Sequence, residues 1–168
     1  SPARFDSDKL RDVNAYFIQT MDDDTLYKLI AASIGNAPTS SAAKLRIIKL
    51  LPLLKERAKT HLDIAGSIGY LLVDGAVDIN DEAAKILTDD AKSILRDLDI
   101  SLATATWDLD GLKAAINTYL TKKGLKMRDI GLPLRAAVTG MKQTPSIIDI
   151  MVALGQSETS ERLQIACK

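Results

Sequence analysis

Apolar residues recur at intervals of three and four along nearly the whole chain, the spacing that gathers side chains on one face of an α-helix. Leu10, Val13, Phe17 and Ile18, with Asn14 among them, form the first such stripe. Asp22 to Asp24 place negative charge where a second helix starts, which favours its positive end, and that helix is predicted to bury Leu26, Leu29 and Ile30. The run GNAPTSS at residues 35–41 breaks the chain. A third helix is predicted from about Ser41 to Leu51, stopping before Pro52, and a fourth carries Leu53, Leu54, Ala58, Leu62, Ala65 and Ile68. The loop VDGAVDIN at 73–80 is short, polar and contains a glycine, so it is the expected boundary. It would separate a helical domain over 1–73 from a second over 81–168, with 74–80 as linker. Beyond it Asn80 caps a helix bearing Ala83, Ile86, Leu87, Ile94 and Leu95. Asp108 or Asp110 caps another bearing Leu112, Ile116, Tyr119 and Leu120, stopped by Gly124. Neither a repeat nor a strand-like alternation emerges, so the expected fold is all-α with two small helical subdomains.

The segment Gly131–Gly155, GLPLRAAVTGMKQTPSIIDIMVALG, is the most punctuated part of the chain. Leu132, Ala136 and Val138 to Thr139 read as a brief turn of helix, because Pro133 fits a first-turn position. Gly140 suits a left-handed stop. Thr144 then reads as the cap of the next helix, Pro145 as its first residue and Gly155 as its end. That arrangement brings Arg135 near an open helix N-terminus, a surface suited to phosphates or electron-rich edges. The alternative is a well-capped helical hairpin and nothing more.

Charge changes the picture more than composition does. Lysine and arginine equal aspartate and glutamate, 22 against 22, which argues weakly against non-specific nucleic-acid binding. Residues 44–61, however, hold Lys44, Arg46, Lys49, Lys55, Arg57 and Lys59 against Glu56 alone. Residues 121–145 hold Lys122, Lys123, Lys126, Arg128, Arg135 and Lys142 against Asp129 alone, while 74–110 hold ten acids and three bases. Two basic patches with an acidic stretch between them could grip an RNA backbone; ordinary charged helix faces would also produce such runs. His61 is the one histidine and reads as a surface or boundary residue. Cys167, the one cysteine, lies near the chain end, where fraying is expected. It excludes an internal disulfide framework and a cysteine-based zinc site, and it suits a reducing cytoplasm. No glycine-rich phosphate loop, metal site or bilayer-length apolar run is found.

The blocks PLRAAVTG, TPSIIDIMVALG and the ERL near the end resemble the C-terminal signature of bacterial glutamyl-tRNA synthetases. SPARFDSDKLRDVNAYFI, LLKERAKTHLDIAGSIGYLL and LKAAINTYLTKKGLKMRDIGLPLR resemble further blocks of that family in the same order, from about Ser1 to Leu163, with a weaker stretch near 74–105. Asp12 stands where the family often has a tryptophan. The resemblance implies a helical-cage anticodon-binding domain of a class I aminoacyl-tRNA synthetase, in the cytoplasm, with tRNA as partner. That tRNA would be the glutamate acceptor, and in some bacteria the glutamine acceptor too. Carried over by motif, Arg135, Thr144, Pro145 and Ile147 fall where the family handles the first anticodon bases, and Arg57 where it meets the last. Arg57 pairing with phosphate or an acid, Ile147 in the core, and Arg135 facing solvent remain the alternatives. Lys122, Lys123, Lys126, Arg128 and Lys142 would form a patch for the RNA backbone. The HIGH-like and KMSKS-like signatures of the catalytic core do not occur here, so no catalytic residue is expected. ATP and Mg would belong to the catalytic domain of the parent enzyme, and this chain alone would charge no tRNA. A helical protein–protein adaptor and a stand-alone tRNA-binding appendage are the competing readings.

Overall fold

The computed structural model describes residues 7–35 and 40–168, and these contain eleven helices and no strand. Most of the break expected at 35–41 therefore lies outside the described residues, as do residues 1–6 of the first resemblance block. No helix among the described residues is long and apolar enough to cross a membrane. The chain separates into two compact units between Leu72 and Val73.

The first unit contains α1 (Ser7–Thr20), α2 (Asp23–Ser33), α3 (Ser41–Arg57), α4 (His61–Ser67) and α5 (Gly69–Leu72). Helix α2 packs on α3 and α4, while α3 also meets α1 and α5. Several elements differ from those predicted. In α1 only Ile18 of the first stripe is buried, and Leu10, Val13 and Phe17 are exposed. Periodicity identifies residues that share a face; it does not say whether anything covers that face. In α2, Asp22 does cap the helix by accepting the Thr25 N–H at 2.9 Å, but Leu29 is exposed and Tyr27 takes its place in the core.

Helix α3 continues past Pro52 to Arg57 instead of stopping at Leu51. Pro52 has no N–H to offer, and an interior proline costs about 3 kcal/mol. Against this, Leu50, Leu51 and Leu54 are all buried around it, and burying each leucine contributes about 1.5–3 kcal/mol. Burial wins. The predicted fourth helix is split, because Thr60 and Asp63 close a capping box: Thr60 Oγ1 accepts from Asp63 N at 3.2 Å and Asp63 Oδ2 accepts from Thr60 N at 2.8 Å. That restart puts Ile64 and Ile68 in the core and leaves Leu62 exposed.

The second unit contains α6 (Asp81–Ala84), α7 (Asp89–Leu102), α8 (Leu109–Lys123), α9 (Met127–Thr139), α10 (Ile147–Leu154) and α11 (Gln156–Ala166). Helices α7, α9 and α11 pack against one another, α8 lies on α7 and α10, and α10 also meets α9 and α11. Asn80 caps as predicted, accepting from Ala83 N at 2.9 Å, but its helix lasts one turn. Thr88 supplies a new cap for α7, with Asp89 and Asp90 in the first turn, and Leu95, Leu98 and Leu102 fill the core. Asp108 rather than Asp110 caps α8, and Gly124 ends it at φ 67°. Residues 73–80 belong to this unit and are fastened to it: Val73 O accepts from Arg162, Gly75 N donates to Glu158, and Asn80 N donates to Gly140 O. Cys167 is not frayed; it caps α11 and is buried.

Candidate nucleic-acid interface

Four of the predicted site residues lie on or beside one turn of the second unit, between α9 and α10. Helix α9 opens where Asp129 Oδ2 accepts the Lys126 N–H at 2.7 Å. It runs through Pro133 as its seventh residue rather than starting there. The lost N–H is outweighed because Ile130, Leu134, Ala136, Ala137 and Val138 are fully buried along the same helix. Gly140 ends α9 in the left-handed region at φ 71°, as its residue type predicts. A second reason for glycine is steric, since a Cβ at position 140 would lie 2.0 Å from Asp78 O.

Past Gly140 the chain folds back on Arg135. Thr139 Oγ1 donates to Arg135 O at 2.8 Å, and Met141 N donates to Thr139 Oγ1 at 3.2 Å. Arg135 Nε donates to Thr144 Oγ1 at 2.9 Å, and that hydroxyl donates on to Pro145 O at 3.0 Å. Thr144 is therefore not the cap of α10. Ser146 holds that position, accepting from Asp149 N at 3.5 Å, and Pro145 precedes the cap instead of opening the helix. The reason is competition for one oxygen, because the Thr144 hydroxyl is already committed to the arginine and to Pro145. Thr144 is 8% exposed and Ile147 is 3% exposed, so Ile147 is part of the core. Arg135 and Pro145 are half-buried and border the turn. The result is a half-buried guanidinium tied through Nε to the Thr144 hydroxyl at the border of the turn.

The cations sort into engaged and outward groups. Lys123 Nζ is 2.5 Å from Asp97 Oδ2 and 5.9 Å from the centre of the Tyr119 ring. Tyr119 in turn donates to Asp97 Oδ2 at 3.2 Å and to Ile94 O at 3.1 Å. Burial and the Asp97 charge push the Tyr119 hydroxyl up to about 12, so it stays a donor. Lys122, Lys126 and Lys142 are exposed, and exposed Arg128 is 3.8 Å from Asp129. A concavity of about 780 Å³ between α7 and α11 is lined by Asp99, Ile100, Trp107, Gln156, Ser160 and Glu161 among others. Its lining has two acids and no base, a poor host for phosphate.

Arg57 is the one predicted site residue in the first unit, exposed in the last turn of α3. Several cations around it in sequence are buried or already engaged. Arg46 is buried. Lys55 donates to Asp23 Oδ1 at 2.6 Å and Met21 O at 2.7 Å. Lys59 pairs with Asp12 at 3.5 Å, and Lys44 lies 5.1 Å over the Tyr27 ring.

Sequence reasoning missed a buried polar assembly of the second unit. Arg162, wholly buried, donates from Nε to Glu158 Oε1 at 2.7 Å, from Nη1 to Val138 O at 3.0 Å and from Nη2 to Val73 O at 2.7 Å. The same Glu158 oxygen accepts the Gly75 N–H at 2.8 Å. Its trace in sequence is the four-residue spacing of Glu158 and Arg162, but surface pairs have the same spacing.

Similar proteins place this architecture. The chain is 37% identical over 167 residues to glutamate–tRNA ligase 2 of Paracoccus denitrificans, an alignment covering 98% of this chain and 36% of that protein. It is 34% identical over 173 residues to the glutamate–tRNA ligase of Afipia carboxidovorans, covering 98% and 37% respectively. The chain thus spans about a third of the length of these curated relatives. Its fold matches that of a crystallised glutamate tRNA ligase from Elizabethkingia meningosepticum with a TM-score of 0.81 at 23% identity, over 97% of this chain and 32% of that one. Residues 12–167 match the family described as the anticodon binding domain. With all but its ends inside that match, the chain belongs to the anticodon binding domain family.

Proposed function

We propose that this chain is the tRNA-gripping part of a cytoplasmic glutamate–tRNA ligase, and that the turn between α9 and α10 reads the first anticodon bases. The observation that carries this reading is the Arg135–Thr144 hydrogen bond at the edge of a folded-back turn, in a member of the anticodon binding domain family. A guanidinium anchored through Nε presents a flat face to an unstacked base, and the half-buried Pro145 ring at the same turn adds apolar surface. Lys122, Lys126, Arg128 and Lys142 supply phosphate contacts, with Lys123 contributing less because Asp97 holds it. Arg57 meets the third anticodon base, which is C for glutamate and G for glutamine. Cytosine offers acceptors to a guanidinium, whereas guanine offers donors on the same edge. How far glutamine tRNA is also accepted rests on that contact. ATP, Mg and the ligase reaction belong to the rest of the parent enzyme.

The test is binding of the chain to the anticodon hairpin of glutamate tRNA across a salt series. Affinity should fall steeply with salt, because phosphates release counterions when neutralised. Joint replacement of Lys122 and Lys126 by glutamine should flatten that slope more than Lys123→Gln does. Arg135→Gln should erase the preference for the cognate first bases. Salt-independent binding, or a preference untouched by Arg135→Gln, would sink the reading. The exposed Leu10, Val13, Tyr16 and Phe17 of α1 favour an added protein contact, which such a salt-independent result would bring forward.

A further inference from the structure

We propose that Arg162 and Glu158 are positioning residues for anticodon reading: their buried pair fixes the end of α9 and thereby the turn that presents Arg135. This rests on the reading of that turn as an anticodon contact. Arg162 reaches three acceptors on three separate stretches of chain. Its partner Glu158 lies on α11, Val138 O belongs to the last turn of α9, and Val73 O opens the strap at 73–80. A cation on the carbonyls that end α9 opposes the partial negative charge gathered there. Glu158 completes the ring by accepting the Gly75 N–H.

The strap then returns to the same place from the other side. Asn80 N donates to Gly140 O at 3.0 Å, and Asp78 O lies so close to Gly140 that no Cβ would fit. Gly140 is thus pinned between the strap and α9, while Arg162 anchors both. Thr139 Oγ1 bonds Arg135 O on one side of Gly140 and accepts from Met141 N on the other. Any slack at Val138 or in the strap is therefore passed to Arg135 and to Thr144, which hold one another across the turn. Arg162 touches no base in this scheme. Its wholly buried side chain acts through the turn it holds.

Arg162→Lys keeps the charge but ends in a single nitrogen, which cannot span the three acceptors. Two measurements on the whole chain test the proposal. Binding is compared for three RNA hairpins: the cognate glutamate anticodon, one with its first two bases changed, and one with only the third base changed. Arg162→Lys should reduce the preference for the cognate first two bases by about tenfold, while the third-base preference stays within about twofold of its original value. Amide exchange should accelerate at 139–146 and stay unchanged in α7 and α8. A first-base preference equal to that of the unaltered chain, or equal acceleration across the whole second unit, would overturn the proposal. Should Arg162→Lys fail to fold, Glu158→Gln loosens the same ring while retaining an oxygen for Gly75, and the same outcomes apply. An unaltered chain without first-base preference would refute the anticodon reading itself. Exchange at 139–146 would then still decide whether the pair holds the turn, and unchanged protection there would refute it.

Discussion

Two ion pairs of the first unit open to the edge: Lys55 and Asp23 have side chains 13% and 46% exposed, and Lys59 and Asp12 are more exposed still. In the second, Arg162 and Glu158 are 0% and 11% exposed, and hydrogen bonds join them to each other and to backbone. The same residue classes thus have different uses. Near the surface, water competes for the partners and the pair contributes little to stability. Inside, Arg162 has no water to fall back on, so the pair dictates geometry and its cation is closed to RNA. A tally of lysines and arginines along the chain does not distinguish these cases.

The largest effect should follow from removing the inner cation. Arg162→Met removes a buried donor from Glu158, Val138 O and Val73 O at once, and the second unit should lose about 3–5 kcal/mol. Lys59→Met breaks a well-exposed pair with Asp12 and should cost the first unit about 1 kcal/mol or less. Urea unfolding separates the two, because the single tryptophan, Trp107, lies in the second unit, while amide exchange follows the first. Equal losses would mean that burial is not what distinguishes the pairs.

Next comes Gly140→Ala, which combines a left-handed backbone with a Cβ 2.0 Å from Asp78 O. It should destabilise the second unit by about 3 kcal/mol. Gly124→Ala meets the same left-handed backbone with nothing within 4 Å and should cost about 1–2 kcal/mol. The difference between these two midpoints measures how firmly the strap presses on the turn. Similar midpoints would remove the strap from that account.

Much of this was legible in the residues. The all-α class, the acidic start of α2 at Asp22 to Asp24, the cap at Asn80 and the stops at Gly124, Gly140 and Gly155 follow from local chemistry that a short window contains. What misled were the prolines and the spacing of apolar residues. Pro52 and Pro133 sit inside helices because the apolar residues beside them are buried against elements far away in sequence. The stripe on α1 stays exposed because a helical period carries no information about its neighbour. Thr144 has the residue type of a cap, yet its hydroxyl goes to an arginine nine residues earlier. Long-range partners of this kind, the Arg162 ring above all, leave almost no mark on a window of sequence.

Arg57 lets the outer kind of cation be tested for base reading. Arg57→Gln should lower the preference for C over G at the third anticodon base by about 1–3 kcal/mol, or about 5- to 150-fold in relative binding. Hairpins differing only at that base measure it. A phosphate contact would weaken both alike.

The smallest effect concerns acid. The hydrogen bond from Lys123, with that from Tyr119, holds the Asp97 carboxyl below its ordinary value of 3.8. A depressed folded-state value means that this contribution is fully present above the ordinary value and lost as pH falls through the depressed one. Melting of the second unit between about pH 5 and 2 should therefore shift downward, and Asp97→Asn should lessen that shift. An unaltered shift in the variant would show that the outer pair is mechanically idle.

Burial also turns the end of the chain into a reporter. Cys167 is the one cysteine and is almost fully enclosed. Loss of hydration drives its thiol upward, although Arg96 and Lys92 pull the other way. A disulfide-forming dye will find neither an accessible sulfur nor an easily formed thiolate while α11 is docked. Under native conditions its reaction rate should track the small fraction of molecules whose last helix has swung open. The chain thus carries a built-in clock for the undocking of its final helix, readable without label or mutation.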